Sequence, residues 1–136
     1  RTVQLKLLTY PDVVACKKLQ QFMKAEAVIL DTAFDTEQFL AIMGCFDLLI
    51  GMRLHALVFA AVMGTPFIAL SYDPKIDGFV KEAEGTNIGA IENFAASDLV
   101  KEAEKILEQD NHSNDRLEQL RKKALENTQL AFGLLK

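Results

Sequence analysis

The sequence predicts an α/β fold: a parallel sheet of four to five strands with helices on both faces, followed by a helical C-terminal tail. Three observations carry that expectation. Short β-type runs alternate along the chain with longer segments of helical period, the pattern that sandwiches a parallel sheet between helices. One short run, Asp47 to Ile50, has almost no polar content, as expected of a central strand buried on both faces. The 136 residues are 50% hydrophobic with a net charge of -4, which suits one domain with a sizeable core.

The elements follow in order. Gln4 to Thr9 reads as a strand, and Pro11 with Asp12 opens a helix in which Val13, Cys16, Leu19 and Met23 recur at spacings of three and four. Ala27 to Leu30 is the second strand. Asp35 or Thr36 caps a helix through Cys45, with Phe39, Ile42 and Met43 as its apolar stripe and Gly44 weakening its end. After Asp47 to Ile50, Gly51 breaks the strand. Met52 to Met63 is apolar nearly all round from Ala56 onward, so it predicts a deeply buried helix stopped by Gly64 with Pro66 beyond. Pro66 to Leu70 resumes the sheet, and Asp73-Pro74 is a cap and first-turn pair for a short helix passing Phe79 and ending near Gly85. Ile88 to Ile91 is the last strand. Ser97 caps an amphipathic helix to about Gln109, and after a polar loop from Asp110 to Asn114 a final helix carries Leu117, Leu120, Ala124, Ala131 and Leu134. Phe59, Phe67 and Phe79 are read as core.

Composition narrows the function. Disorder, collagen and a disulfide-stapled mini-protein are excluded. With 15 Lys+Arg against 19 Asp+Glu and no basic block, broad nucleic-acid or anionic-membrane binding is not expected, whereas a small anionic ligand is compatible. Cys16 and Cys45 lie in apolar periodic segments outside any C-x-x-C pair and are expected to be buried reduced thiols, so a reducing compartment is the default. No secretory leader is visible in Arg1 to Tyr10, and the start without Met leads us to expect a piece of a longer polypeptide. Leu48 to Leu70 is nearly apolar, but Arg53, His55, Gly51, Gly64 and Pro66 interrupt it, which favours strand, helix and strand over a membrane span.

Two junctions hold candidate chemistry. In open parallel sheets, ligands sit beyond the carboxyl ends of the strands, where loops enter helix N-termini. At Gly51-Met52-Arg53-Leu54-His55, an Arg fork suits phosphate or carboxylate and a His proton can move near neutral pH. If that stretch stays extended the two side chains point the same way; inside a helix they diverge. An equally plain reading is that Arg53 and His55 cap carbonyls or pair with Asp47 or Asp73. At Ser71-Tyr72-Asp73-Pro74-Lys75, the Asp-Pro pair explains itself as a helix start. Lys75 beside a helix N-terminus is unfavourable unless an anion or Asp77 offsets it. His112 sits in the polar loop and is read as solvated. No glycine-rich phosphate cradle and no zinc-ligand spacing occurs in the sequence.

The run Asp47-Leu48-Leu49-Ile50-Gly51-Met52-Arg53-Leu54-His55-Ala56-Leu57, then Gly64 to Leu70, then Ser71-Tyr72-Asp73-Pro74-Lys75 and Phe79, resembles the polysaccharide pyruvyl transferases, most closely their bacterial cell-wall-polymer branch. The resemblance implies a two-domain, glycosyltransferase-B-like enzyme that moves pyruvyl from phosphoenolpyruvate onto two hydroxyls of a polysaccharide or lipid-linked sugar as a ketal. Residues 1–110 would then be a Rossmann-like donor-side domain, incomplete at its N-terminus, and 111–136 a helix packing on it or on an absent N-terminal domain. That missing half, which would bring the sugar acceptor, and a missing first strand with another donor-binding Arg imply that this piece alone is inactive.

Carried onto this sequence, the resemblance implies catalytic roles for His55 and Arg53, and a substrate-binding set of Arg53, Leu54, His55, Tyr72, Asp73 and Lys75. It implies no cofactor and no metal, phosphoenolpyruvate being a donor substrate. It places the reaction in the cytoplasm, with peripheral membrane association compatible. Two rival readings stand beside it. One is the sugar-nucleotide domain of a glycosyltransferase or epimerase, in which Glu82 or Glu84 would hold ribose hydroxyls. The other is a non-catalytic interaction module that docks through its heptad-like tail.

Overall fold

The computed structural model describes residues 5–8, 13–109 and 122. Among them strands and helices alternate strictly, in two compact units, Arg1–Thr36 and Glu37–Lys136. The first unit holds β1 (Leu5–Leu8), α1 (Val13–Phe22) and β2 (Ala27–Leu30). The strands pair in parallel, from Leu5 opposite Ala27 to Leu8 opposite Leu30. Gln20 Nε2 donates to the Ala27 carbonyl at 2.7 Å and so ties the last turns of α1 to the start of β2.

From the unit boundary onward the chain forms α2 (Thr36–Gly44), β3 (Leu49–Gly51), α3 (Leu54–Met63), β4 (Phe67–Ser71), α4 (Pro74–Glu82), β5 (Thr86–Ala90) and α5 (Ala96–Glu108). The strands β3, β4 and β5 make one parallel sheet with β4 in the middle. Phe67, Ile68, Ala69 and Ser71 of β4 are all buried. Met43 of α2, Leu57 of α3 and Ile76 of α4 are almost wholly buried with Ile68, so the helices seal the sheet as the periodicity predicts. The Thr65 hydroxyl donates to the Met43 carbonyl at 2.6 Å, a buried link between the end of α2 and the entry to β4.

Several expectations are corrected. The parallel α/β class itself stands, its five described strands pairing as a two-stranded sheet in the first unit and a three-stranded sheet in the second. Among the described residues β3 pairs with β4 alone and Ile50 is 42% exposed, so the run read as a central strand buried on both faces is not one within its sheet; pairing partners are chosen by long-range contacts that strand composition does not encode. The strand buried on both faces is β4. Helix α5 starts at Ala96, where the Ala95 carbonyl accepts the Asp98 and Leu99 N–H groups, so Ser97 lies inside the helix and does not cap it. The last strand comes earlier than read, at Thr86–Ala90. Neither cysteine is in a disulfide, but Cys16 is only half-buried and Cys45 is exposed. Of the three core phenylalanines, Phe67 is buried and stacks with half-buried Phe79 at 6.0 Å, while half-buried Phe59 meets Phe39 edge-on at 5.4 Å. The helix opening at Pro11 and Asp12, the loop with His112 and the tail helix of 111–136 lie outside the described residues.

Two helix ends show glycine used in different ways. Gly64 takes the left-handed conformation (φ 72) and Thr65 N–H returns to the Ala60 carbonyl, the terminator that the sequence predicts. At the end of α4 the left-handed residue is Glu84 (φ 53), and Gly85 is needed for space: a Cβ there would overlap the ring of Phe67. That ring is buried and stacked, so it has little room to yield. Gly85→Ala is therefore expected to destabilise the protein by about 1–3 kcal/mol through overpacking, read as a lower denaturant midpoint.

Candidate functional site

The parallel ladder decides which loops share an edge. Gly51 of β3 lies opposite Ala69 of β4, so Met52–His55 and Ser71–Lys75 leave the same carboxyl edge from strands roughly 5 Å apart. Helices α3 and α4 both begin at that edge, the position at which open α/β sheets bind ligands. All six candidate residues are thus gathered on one sheet edge by two neighbouring strands.

Arg53 is the N-cap of α3, with extended backbone (φ -90, ψ 124), and its carbonyl accepts the Leu57 N–H at 3.2 Å. The helix starts one residue later, so Leu54 and His55 are its first two residues. The extended alternation that would aim Arg53 and His55 in parallel therefore ends at Arg53, and His55 takes its direction from the first helical turn. Both residues are exposed, and Leu54 between them is half-buried. No side chain caps α3, and its first turn holds no acid. A helix end with unpaired N–H groups, the positive end of the macrodipole and two basic residue types is electrostatically matched to an anion.

Helix α4 begins differently. Asp73 is its N-cap and Oδ1 accepts the Lys75 N–H at 2.8 Å, with Pro74 as the first helical residue. The helix-start reading of Asp73 is therefore correct, and at least one oxygen of its carboxylate is engaged by the backbone. Tyr72 is 58% exposed and Lys75 is exposed. Asp77 shares the first turn with Lys75, which offsets the unfavourable cation there. The Ser71 hydroxyl and then the Asn87 amide hold the Asp77 carboxyl below the usual aspartate range. Asn87 Nδ2 donates to Asp77 Oδ1 at 2.7 Å. Sequence reading passed over Asn87, although Asn87-Ile88-Gly89 carries the signal of a bulged strand.

The residues of the rival reading fall elsewhere. Glu82 ends α4 and Glu84 follows it, just before β5 starts at Thr86. Because α4 runs back between two parallel strands, both acids stand at the amino edge of the sheet, opposite the strand carboxyl ends. Among the described residues no group of three or more His, Cys, Asp and Glu could hold a metal ion, and no helix is long and apolar enough to cross a membrane. A surface hollow of about 300 Å³ runs along α5, lined by Lys101, Glu104, Lys105, Glu108 and Gln109. Its mixed charges belong to the polar flank of an amphipathic helix, away from the junctions described above.

A parallel sheet that feeds an uncapped, basic helix N-terminus and a capped neighbour from the same edge defines an α/β domain of the Rossmann-like class. The chain belongs to the polysaccharide pyruvyl transferase family, whose model matches residues 4–74. That span includes Arg53, Leu54, His55, Tyr72 and Asp73 and stops just short of Lys75. No curated protein and no solved structure matches the chain.

Proposed function

We propose that the edge formed by the ends of β3 and β4 binds phosphoenolpyruvate, and that the chain is the donor-side part of an enzyme that transfers pyruvyl to a polysaccharide or lipid-linked sugar as a ketal. The observation that carries this reading is the start of α3, uncapped by any side chain, without an acid in its first turn, and bearing Arg53 and His55. Arg53 grips the phosphate or carboxylate of the donor through its guanidinium fork, with the first N–H groups of α3 as further donors. Leu54 shapes the pocket wall. Tyr72, Asp73 and Lys75 flank the mouth, with Lys75 as a second cation for the donor.

The chemistry assigns His55 the acid role. Its imidazolium gives a proton to the methylene carbon of phosphoenolpyruvate, which turns the carbon bearing the enol phosphate into a cationic centre. One sugar hydroxyl attacks that carbon and passes its proton to the imidazole; the C–O bond to phosphate then breaks, and the second hydroxyl closes the ketal, its proton leaving with the phosphate. Phosphoenolpyruvate and two hydroxyls are consumed, and one ketal and one phosphate are formed. A cytoplasmic location follows from the donor metabolite, with peripheral membrane association if the acceptor is lipid-linked.

The test is thermal unfolding of the full-length protein with phosphoenolpyruvate or with a uridine nucleotide. At a hundredfold excess over Kd the ligand adds about 2.7 kcal/mol of stability. Phosphoenolpyruvate is expected to raise Tm and the uridine nucleotide to leave it unchanged. The opposite pattern would replace this reading by the sugar-nucleotide one, which the placement of Glu82 and Glu84 at the far edge of the sheet disfavours.

A further inference from the structure

Beyond the family match, the far side of α4 is fastened to the sheet by a bulge. In β5 the register advances from Asn87 opposite Ala69 to Ala90 opposite Ser71, so three steps of β5 span two of β4. The extra residue is accommodated by Gly89, whose φ of 98 is open to glycine and strained for other residues. Asn87 Oδ1 accepts the Gly89 N–H at 2.9 Å, which orients the amide so that Nδ2 faces outward to Asp77 Oδ1 at 2.7 Å. The Ile91 N–H returns to the Ser71 carbonyl at 3.0 Å and closes the bulge on the end of β4. One amide thus spans the last strand and the first turn of α4.

We propose that Asn87 is a positioning residue for the donor: through Asp77 it fixes the first turn of α4 and so sets where Lys75 and Tyr72 stand at the carboxyl edge of the sheet. The inference rests on the donor reading of that edge. Its physical basis is that every partner in the chain is directional. Asn87 has its oxygen committed to a backbone N–H and its nitrogen to a carboxylate, so the amide cannot flip without losing both bonds. Residues two apart on a helix do not face each other, so the clamp on Asp77 acts on Lys75 through the shared backbone turn, not by a direct ion pair.

The experiment compares Asn87→Asp with the swapped pair Asp77→Asn plus Asn87→Asp in the full-length protein, reading KM for phosphoenolpyruvate and kcat separately. Asn87→Asp sets two carboxylates against each other and is expected to raise the donor KM on the order of tenfold while kcat stays within about twofold. The swap restores one amide and one carboxylate across the same gap, and is expected to return KM to the parental value. A parental KM in Asn87→Asp, or a swapped pair no better than the single variant, overturns the proposal. If Asn87→Asp does not fold, Asn87→Ala takes its place: a raised donor KM at unchanged kcat supports the clamp and a parental KM overturns it. Arg53→Lys separates the two levels, since a raised KM there with none in the Asn87 variants rejects the clamp alone. A parental KM in both rejects the donor reading with it.

Discussion

Replacing His55 by Ala in the full-length protein is expected to lower kcat by about 10² to 10⁴, the usual contribution of a positioned general acid. The donor KM should move much less, because a general acid acts in the transition state and not on binding. The site explains why the residue can serve: His55 is the second residue of α3, exposed, in a turn with no acidic side chain. An alanine there keeps the helix, since Ala is the best helix former and His55 is not part of the core. A fall in turnover in this variant therefore reads chemistry and not folding. An unchanged kcat removes the acid role and leaves His55 as a surface residue of a helix start.

Arg53→Lys is the second large effect. The charge is kept, but a planar fork with five donors becomes a point charge on a flexible stem, so two-point recognition of phosphate or carboxylate is lost. Losing a charge-assisted hydrogen bond costs about 1.5–3 kcal/mol, which corresponds to a donor KM raised roughly tenfold to a hundredfold. The backbone role of Arg53 is untouched, since its carbonyl still accepts the Leu57 N–H. A donor KM equal to that of the parent would show that the guanidinium serves the fold and not the ligand.

Much of the local architecture is legible in the residues. The Asp73-Pro74 start of α4, the Gly64 end of α3 and the Ala27–Leu30 strand all stand where capping chemistry and periodicity put them. Each depends on neighbours within a few residues, and short-range rules are written directly in sequence. Two misplacements show what local rules leave out. Ser97 has the chemistry of a cap, but the Ala95 carbonyl reaches the first-turn N–H groups and starts α5 earlier. Near Gly85, where the sequence predicts the end of α4, the left-handed residue is Glu84, and the glycine serves to leave room for the Phe67 ring. The first is decided by which backbone carbonyl closes the opening turn, the second by a ring from another element, and neither is written in the residue types.

The candidate site divides in the same way. The Arg53-Leu54-His55 triplet after an apolar strand, and the Tyr72-Asp73-Pro74-Lys75 run after the next, are sequence features, and the family match covers all of them but Lys75. That the two runs leave one edge of one sheet is a consequence of β3 pairing in parallel with β4. That His55 belongs to the helix and Arg53 to the extended chain before it depends on where the first hydrogen-bonded turn closes.

Sequence by itself determined the parallel α/β class, the helix starts and stops built from local caps, and the residue types able to meet an anion. Only the tertiary structure decided that β4 and not β3 is the buried middle strand, that Glu82 and Glu84 face the wrong edge, and that Asn87 reaches Asp77. The reason is range. A cap or a period is an interaction between residues a few positions apart, whereas strand order, sheet edge and the Asn87–Asp77 bond arise from pairings between elements, which periodicity leaves open.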